Sequence, residues 1–106
     1  MIDRRIRHTV AFRLVHEPGS AAENAFLEAA GALSAISGVE AFELLDEVSP
    51  KNDYRLGISM EFADQSAYDA YNNHPDHVRF VQERWLGEVA DFLEIDYTAR
   101  AAPAAV

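Results

Sequence analysis

Two stretches of this chain alternate between apolar and polar residues, and this pattern constrains the fold more than any other feature. Residues 6–14 place one set of side chains on a common face: Ile6, His8, Val10, Phe12 and Leu14. Residues 54–62 repeat the alternation. A period of two is typical of a β-strand with one face against a core. We therefore expect two half-buried strands, with His8 on an inward face.

The segment between these strands has the signature of a helix. Ser20 is followed three residues later by Glu23, a capping-box spacing that predicts a helix start. Gly38 is a suitable C-terminal stop. The expected buried stripe consists of Ala22, Phe26, Ala29, Leu33 and Ile36.

Two more strands are predicted, over residues 39–48 and 91–98. The first is acidic, which indicates a sheet edge or a solvated face. The order strand, helix, strand, strand, helix pair, strand predicts an α+β fold of the ferredoxin-like, split βαβ type. Its four-stranded antiparallel sheet carries helices on one face. Small or apolar residues face outward at Ala11, Gly57, Leu93 and Ile95. A second copy would cover them, so we expect a homodimer with facing sheets, a dimeric α+β barrel.

Length and composition narrow the class of protein. At 106 residues we expect one domain over residues 6–98, a lead-in at 1–5 and a flexible tail at 99–106. The net charge of −9 argues against nucleic acid and anionic membranes as partners. The absence of cysteine excludes disulfides, thiolate metal sites and a cysteine nucleophile. With no run of signal-peptide or membrane-span length, we expect a cytoplasmic protein.

The stretch from Tyr68 to Phe80 concentrates the residues suited to chemistry. Pro75 ends one short helix before it and fits the first position of the next. On that second helix His77 falls within the apolar arc, facing inward. One interpretation is a core histidine bonded to a backbone carbonyl; the other is a functional imidazole.

Other candidates carry similar alternatives. His74 either caps the second helix or contacts a ligand, and Tyr71 is either a core aromatic or a proton donor. Imidazole and carboxylate ligands suit zinc, so His8, His74 and His77 with Asp96 form an alternative, but a proline separates two of these histidines and argues against it. We expect no metal. No phosphate-binding loop or serine-nucleophile motif is present, and we expect no cofactor.

Four segments together resemble a known family. They are Arg7-His8-Thr9-Val10, the run Met60 to Asp64, the run Ala70 to His77 and Asp96-Tyr97. This combination is similar to the stress-responsive dimeric A/B barrel (Dabb) domain, over roughly residues 6–98. The resemblance implies the barrel-like dimer, and it leaves the activity open because fold and function separate easily.

The Tyr-x-x-His-Pro-x-His run is also similar to plant polyketide cyclases of the olivetolic acid cyclase type. That resemblance implies catalytic roles for Tyr71 and His77, with Asp96 near His77. The implied ligand-binding residues are His8, Val10, Phe12, Leu56, Ile58, His74, Phe80 and Trp85.

The chemistry implied is ring closure, in which an imidazole removes a proton beside a carbonyl and a phenol holds the enolate oxygen. Two classes of function stay open. One is a family member of unassigned activity that holds a small apolar or aromatic ligand. The other is a cofactor-independent enzyme, either a lyase or cyclase of the polyketide cyclase type, or a cofactor-free monooxygenase.

Overall fold

The computed structural model describes residues 4–101 and contains a single sheet packed against helices. Strand β1 (Ile6–Leu14) leads to helix α1 (Ala21–Gly31), which continues as a 3₁₀ turn over Ala32–Ala35. Strands β2 (Glu40–Asp46) and β3 (Leu56–Phe62) follow. Helices α2 (Gln65–Asn73) and α3 (Pro75–Phe80) come next, and α3 runs on through a π-helical turn, Val81–Trp85, and a last α-helical turn, Leu86–Glu88. Strand β4 (Val89–Thr98) completes the domain.

The sheet has the strand order β2-β3-β1-β4, and the pairs β1–β3, β1–β4 and β2–β3 are all antiparallel. This confirms the ferredoxin-like α+β fold and places the acidic strand β2 at an edge, as its composition predicts. Register fixes which residues share a face. Val10 lies opposite Ile58 on β3 and Glu94 on β4, so all three face the helices.

The core lies between this face and the helices. Strands β1 and β3 contribute alternate residues, and the largest fully buried side chains are Tyr71, Phe12, Phe26, Phe62 and Met60. The aromatic rings pack against one another, with Phe26 lying 5.8 Å from Phe12 and 5.5 Å from Phe80 between ring centroids. The opposite face carries Leu45, Leu93 and Ile95, which are substantially exposed in the single chain.

Helix α1 begins where the sequence predicts. The Ser20 hydroxyl accepts a hydrogen bond from the Glu23 amide at 3.1 Å, and the Glu23 carboxylate accepts one from the Gly19 amide at 3.0 Å. The predicted stripe is wrong at Ala22, which is exposed in the first turn of α1; the buried residues of this helix are Phe26 and Ala30. The helical segment also ends at Ala35, before Gly38 takes up a left-handed φ of 92°.

Helix α2 ends at Asn73, two residues before Pro75. His74 adopts an extended conformation (φ −66°, ψ 135°), as a residue preceding proline should, and Pro75 opens α3. The Asp64 carboxylate caps α2 by accepting from the Ala67 amide at 2.9 Å. The two helices are therefore separate elements that meet at a corner.

The chain ends are only partly described. Arg5, in the predicted lead-in, forms ion pairs with Glu40 at 2.9 Å and Glu61 at 3.3 Å. Residues 1–3, and residues 102–106 of the predicted tail, lie outside the described part of the chain. Within residues 4–101, no helix is long and apolar enough to cross a lipid bilayer.

Candidate active site

A cavity of about 280 Å³ lies between the helix-facing side of the sheet and the segment from α2 to the π-helical turn. Most of its wall is apolar. The titratable groups that reach it are His8, Tyr71, His77 and Glu94. The predicted ligand-binding residues that line it are His8, Val10, Ile58, Phe80 and Trp85.

His8 is held by a carboxylate and a phenol. Its Nδ1 lies 2.6 Å from Asp96 Oδ1 and 2.9 Å from the Tyr68 hydroxyl oxygen. The Tyr68 hydroxyl in turn lies 2.8 Å from Asp96 Oδ2 and 3.3 Å from Glu94 Oε1. His8 and Tyr68 are both buried, whereas the Asp96 side chain is 36% exposed.

These contacts fix the tautomer of His8. A carboxylate only accepts hydrogen bonds, so Nδ1 carries a proton and donates it to Asp96. The Tyr68 hydroxyl donates its own proton to the other carboxylate oxygen. Burial and this hydrogen bond raise the pKa of Tyr68, so it stays protonated. In the neutral ring, Nε2 is then the nitrogen with a free lone pair, and the ring lines the cavity.

His77 has an equivalent arrangement with a backbone partner. Its Nδ1 lies 3.1 Å from the Asn72 carbonyl oxygen and must donate, because a carbonyl only accepts. Burial lowers the pKa of His77, with a smaller contribution from His8, so the ring is neutral at pH 7. Its Nε2 is therefore also an acceptor.

Tyr71 lies against His77, with ring centroids 4.5 Å apart, and 6.4 Å from His8. The residue is only 2% exposed. Its hydroxyl makes no hydrogen bond to any residue in the described range 4–101, and the hydroxyl oxygen is not completely buried. Burial, and to a lesser extent Glu94, raise the pKa of Tyr71, so the phenol keeps its proton. It is a donor without a protein partner at a cavity wall.

Several predicted site residues lie elsewhere. Phe12 is fully buried against Phe26 and Trp85, and Leu56 is the first residue of β3; neither lines the cavity. His74 does not line it either. It caps α3, because its Nδ1 accepts from the Asp76 amide at 3.1 Å, which agrees with the structural alternative weighed above.

Asp96 occupies a different position from the one implied. The resemblance implies a position near His77, but Asp96 binds His8, because the antiparallel register pairs His8 directly with Asp96 across β1 and β4. The carboxylate therefore supports the imidazole on the sheet and not the one on the helix.

Sequence reasoning missed two members of the site. Tyr68 lies one turn before Tyr71 on α2, where helical spacing indicated only a core aromatic. Glu94 lies two residues before Asp96 on the same face of β4, and only the strand alternation pointed to it.

One group of side chains has the spacing of a metal site. His8, Glu94 and Asp96 each offer a ligand atom, and these atoms lie within 4.8 Å of one another. His74 and His77, which the zinc alternative required, are not among them. His8 Nδ1 donates a hydrogen bond to Asp96, so a metal ion bound by this group would have to displace that proton.

Comparison with known proteins identifies the fold family. The family model of the stress responsive A/B barrel domain, Dabb, matches residues 6–99. No protein among the curated sequences matches the chain. A Dabb family protein with a ferredoxin-like fold from Mesorhizobium loti has 57% sequence identity and a TM-score of 0.89. The alignment covers 92% of this chain and 98% of that one.

Two more distant structures share the architecture. Hydroxynitrile lyase from Passiflora edulis superposes with a TM-score of 0.83 at 12% identity, covering 96% of this chain and 99% of that chain. A dimeric ferredoxin-like protein of unknown function from Thermobifida fusca has a TM-score of 0.73 at 18% identity, covering 90% and 91%. These two likenesses concern the fold alone. With the family model spanning nearly all of the domain, the chain belongs to the stress-responsive A/B barrel family.

Proposed function

We propose that this protein catalyses proton transfer at a small, mainly apolar carbonyl compound, without a cofactor. One observation carries the proposal. Two imidazoles, each with Nδ1 engaged by a protein acceptor, border the same cavity as a phenol whose hydroxyl has no hydrogen-bond partner within the described residues. A base and a donor on one cavity are the minimum that general acid–base catalysis requires.

The proposed base is His8. Its Nε2 accepts the proton removed from a carbon next to the carbonyl, and the ring becomes an imidazolium. Asp96, already at 2.6 Å from Nδ1, stabilises that positive charge and keeps the ring in the tautomer that exposes Nε2. Tyr68 holds the second carboxylate oxygen, so Asp96 cannot rotate away without losing that bond.

The proposed donor is Tyr71. As the carbon loses its proton, the electron pair moves onto the carbonyl oxygen, which the Tyr71 hydroxyl stabilises by a hydrogen bond. Its raised pKa keeps the proton on the phenol throughout. No protein group competes for this hydroxyl among residues 4–101, so it is free to bind the substrate oxygen.

His77 is the second acid–base group of the site. It is neutral at pH 7 and touches the Tyr71 ring, so its Nε2 serves to take up or return a proton on the other side of the substrate. The pair implied by the family resemblance, Tyr71 with His77, is retained in this proposal, and His8 with Asp96 is added to it.

The cavity sets the substrate class. Its volume of about 280 Å³ is at the lower limit of the ~300–1,000 Å³ typical of ligand pockets. The apolar and aromatic side chains of its wall suit a substrate that consists of one ring with a short substituent. Two kinds of reaction are compatible with an imidazole base and a phenol donor in this cavity. One is ring closure of the polyketide cyclase type, and the other is reversible cleavage of a hydroxynitrile. The second kind is the chemistry of the Passiflora hydroxynitrile lyase, which shares only the fold with this chain.

We also propose that the protein acts as a homodimer joined through the open face of the sheet. The Thermobifida protein with this fold is dimeric, which supports self-association of this chain. Leu93 is 48% exposed and Ile95 38% exposed on the open face, and apolar surface of this kind is normally covered in a stable protein.

The test is hydrogen exchange into the substrate. The protein is incubated in D₂O with small aryl and cyclohexyl methyl ketones, and loss of the α-proton signal is followed by NMR. Cleavage of an aromatic hydroxynitrile is measured in parallel. We expect catalysed exchange that falls at least about a hundredfold in Tyr71→Phe and in His8→Gln, since one acid–base group contributes roughly 10²–10⁴ in rate.

His74→Asn is the matched control. It removes an imidazole from the same helical corner, while asparagine retains the ability to cap α3. Its exchange rate should equal that of the unsubstituted protein. Equal exchange in Tyr71→Phe and in the control, or no catalysed exchange or cleavage for any compound, would contradict the proposal.

A further inference from the structure

Glu94 places a negative charge at the wall of the cavity. It pairs with Val10 across β1 and β4, so its side chain extends on the helix-facing side of the sheet. Its Oε1 lies 3.3 Å from the Tyr68 hydroxyl and 3.9 Å from His8 Nδ1. The side chain is half exposed, so its negative charge is not neutralised in a buried ion pair.

The charge around the cavity is not balanced by a cation of fixed charge. Among the described residues, no lysine or arginine lines the wall. Asp96, bound behind His8, adds a second carboxylate close by. The field of Glu94 also reaches the far side, where it contributes to the raised pKa of Tyr71 and acts on His77.

We infer that Glu94 determines specificity by making the cavity accept uncharged carbonyl compounds and reject carboxylates of the same shape. The inference rests on the proposed function and names its substrate class. A carboxylate in this cavity gives up part of its hydration and meets Glu94 across a partly apolar space, where repulsion between like charges is stronger than in water. An uncharged ketone loses much less hydration free energy and carries no net charge for Glu94 to repel.

The charge of Glu94 therefore distinguishes uncharged substrates from anionic ones. A substrate that enters as a ketone, aldehyde, ester or hydroxynitrile fits the site, whereas a free keto acid does not. A reaction that generates a carboxylate inside the cavity produces a product that the site repels.

Binding is measured with Trp85, because the chain contains one tryptophan and it lines the cavity. The probes are cyclohexyl methyl ketone and cyclohexanecarboxylate, which have the same ring and the same number of heavy atoms. Titrations of tryptophan fluorescence are made at about pH 8, where imidazoles with a reference pKa of about 6.5 are neutral. We expect the ketone to bind at least about tenfold more tightly, a discrimination reduced by the partial exposure of Glu94.

Two variants isolate the charge. Glu94→Gln keeps the size of the side chain and should bring the two affinities to within about threefold, mainly by strengthening carboxylate binding. Glu28→Gln removes the same charge from the exposed side of α1. It should leave the preference for the ketone unchanged, which excludes a general effect of net charge.

The outcomes distinguish the two proposals. If the carboxylate binds as tightly as the ketone, or if Glu94→Gln leaves the ratio unchanged, the inference about Glu94 is wrong while proton-transfer catalysis stands on its own exchange assay. If neither probe changes the fluorescence of Trp85, and ketone exchange is also absent, the proposed function fails and the inference fails with it.

Discussion

The two tyrosines of α2 provide the sharpest test of the site, because removing one oxygen from each should have opposite effects. Tyr68 and Tyr71 lie one turn apart, and both rings are buried and pack on Phe62, with centroids at 5.0 Å and 5.1 Å. Phenylalanine preserves these contacts in either position. The variants therefore differ only in what each hydroxyl does.

In Tyr71→Phe no protein hydrogen bond within residues 4–101 is lost. The ring also keeps its contact with His77 at 4.5 Å. Because hydroxyl removal without a lost partner is nearly neutral, the free energy of unfolding should change by less than about 1 kcal/mol. Turnover should fall by roughly 10²–10³, the usual effect of removing one donor to a developing oxyanion.

In Tyr68→Phe the protein loses the hydroxyl that bridges Asp96 and His8, at 2.8 Å and 2.9 Å. A net hydrogen bond to a charged group contributes about 1.5–3 kcal/mol, and the partial exposure of Asp96 reduces this, so we expect a loss of about 1–2 kcal/mol. Turnover should fall less than in Tyr71→Phe, because Asp96 still contacts His8 directly.

The assay combines urea unfolding with ketone exchange on both variants and the unsubstituted protein. The expected result is a crossover, with the greater stability loss in Tyr68→Phe and the greater activity loss in Tyr71→Phe. If Tyr71→Phe is destabilised as much as Tyr68→Phe, its hydroxyl has a structural partner, and the assignment of Tyr71 as the free donor is refuted.

Two further predictions concern pH and assembly. Burial lowers the pKa of His77, so the folded state binds a proton at this ring less readily than the unfolded state does. The free energy of unfolding should therefore fall as the pH drops below about 6.5. Urea unfolding at several pH values should show a smaller fall in His77→Gln, and an identical fall would contradict the assignment. His77 should also titrate below 6.5 by NMR. Ile95→Lys places a charge on the open face of the sheet, and sedimentation should show that it converts the proposed dimer to a monomer. The control is Val15→Lys, at another exposed apolar residue, and it should stay dimeric. A dimeric Ile95→Lys protein would exclude this face as the interface.

The fold was largely predictable because a period of two assigns every residue of a strand to a face. The alternation in residues 6–14 correctly placed His8 and Phe12 inward, and Leu56 to Phe62 follows the same rule. Boundaries were less certain. Strand β4 begins at Val89, two residues before its predicted start, because pairing with Leu14 across an irregular register extends it.

The partners within the site were harder to predict. The periodicity of the sequence predicted that His8 and His77 face the interior. The pairing of His8 with Asp96 depends on the register between β1 and β4, which no local pattern fixes. The same applies to Phe12 and Leu56. Facing inward does not tell whether a side chain meets a cavity or another side chain, since that depends on where the helices rest on the sheet.

The corner at Pro75 has a consequence for how this site is assembled. In an uninterrupted helix, residues six positions apart, such as Tyr71 and His77, differ by about 240° in direction and about 9 Å in height, so their rings could not touch. The corner folds the chain back and brings them to 4.5 Å. The opening between the phenol and the imidazole is therefore governed by the angle at which two short helices meet. A change of residues remote from both rings can alter it by tilting α3.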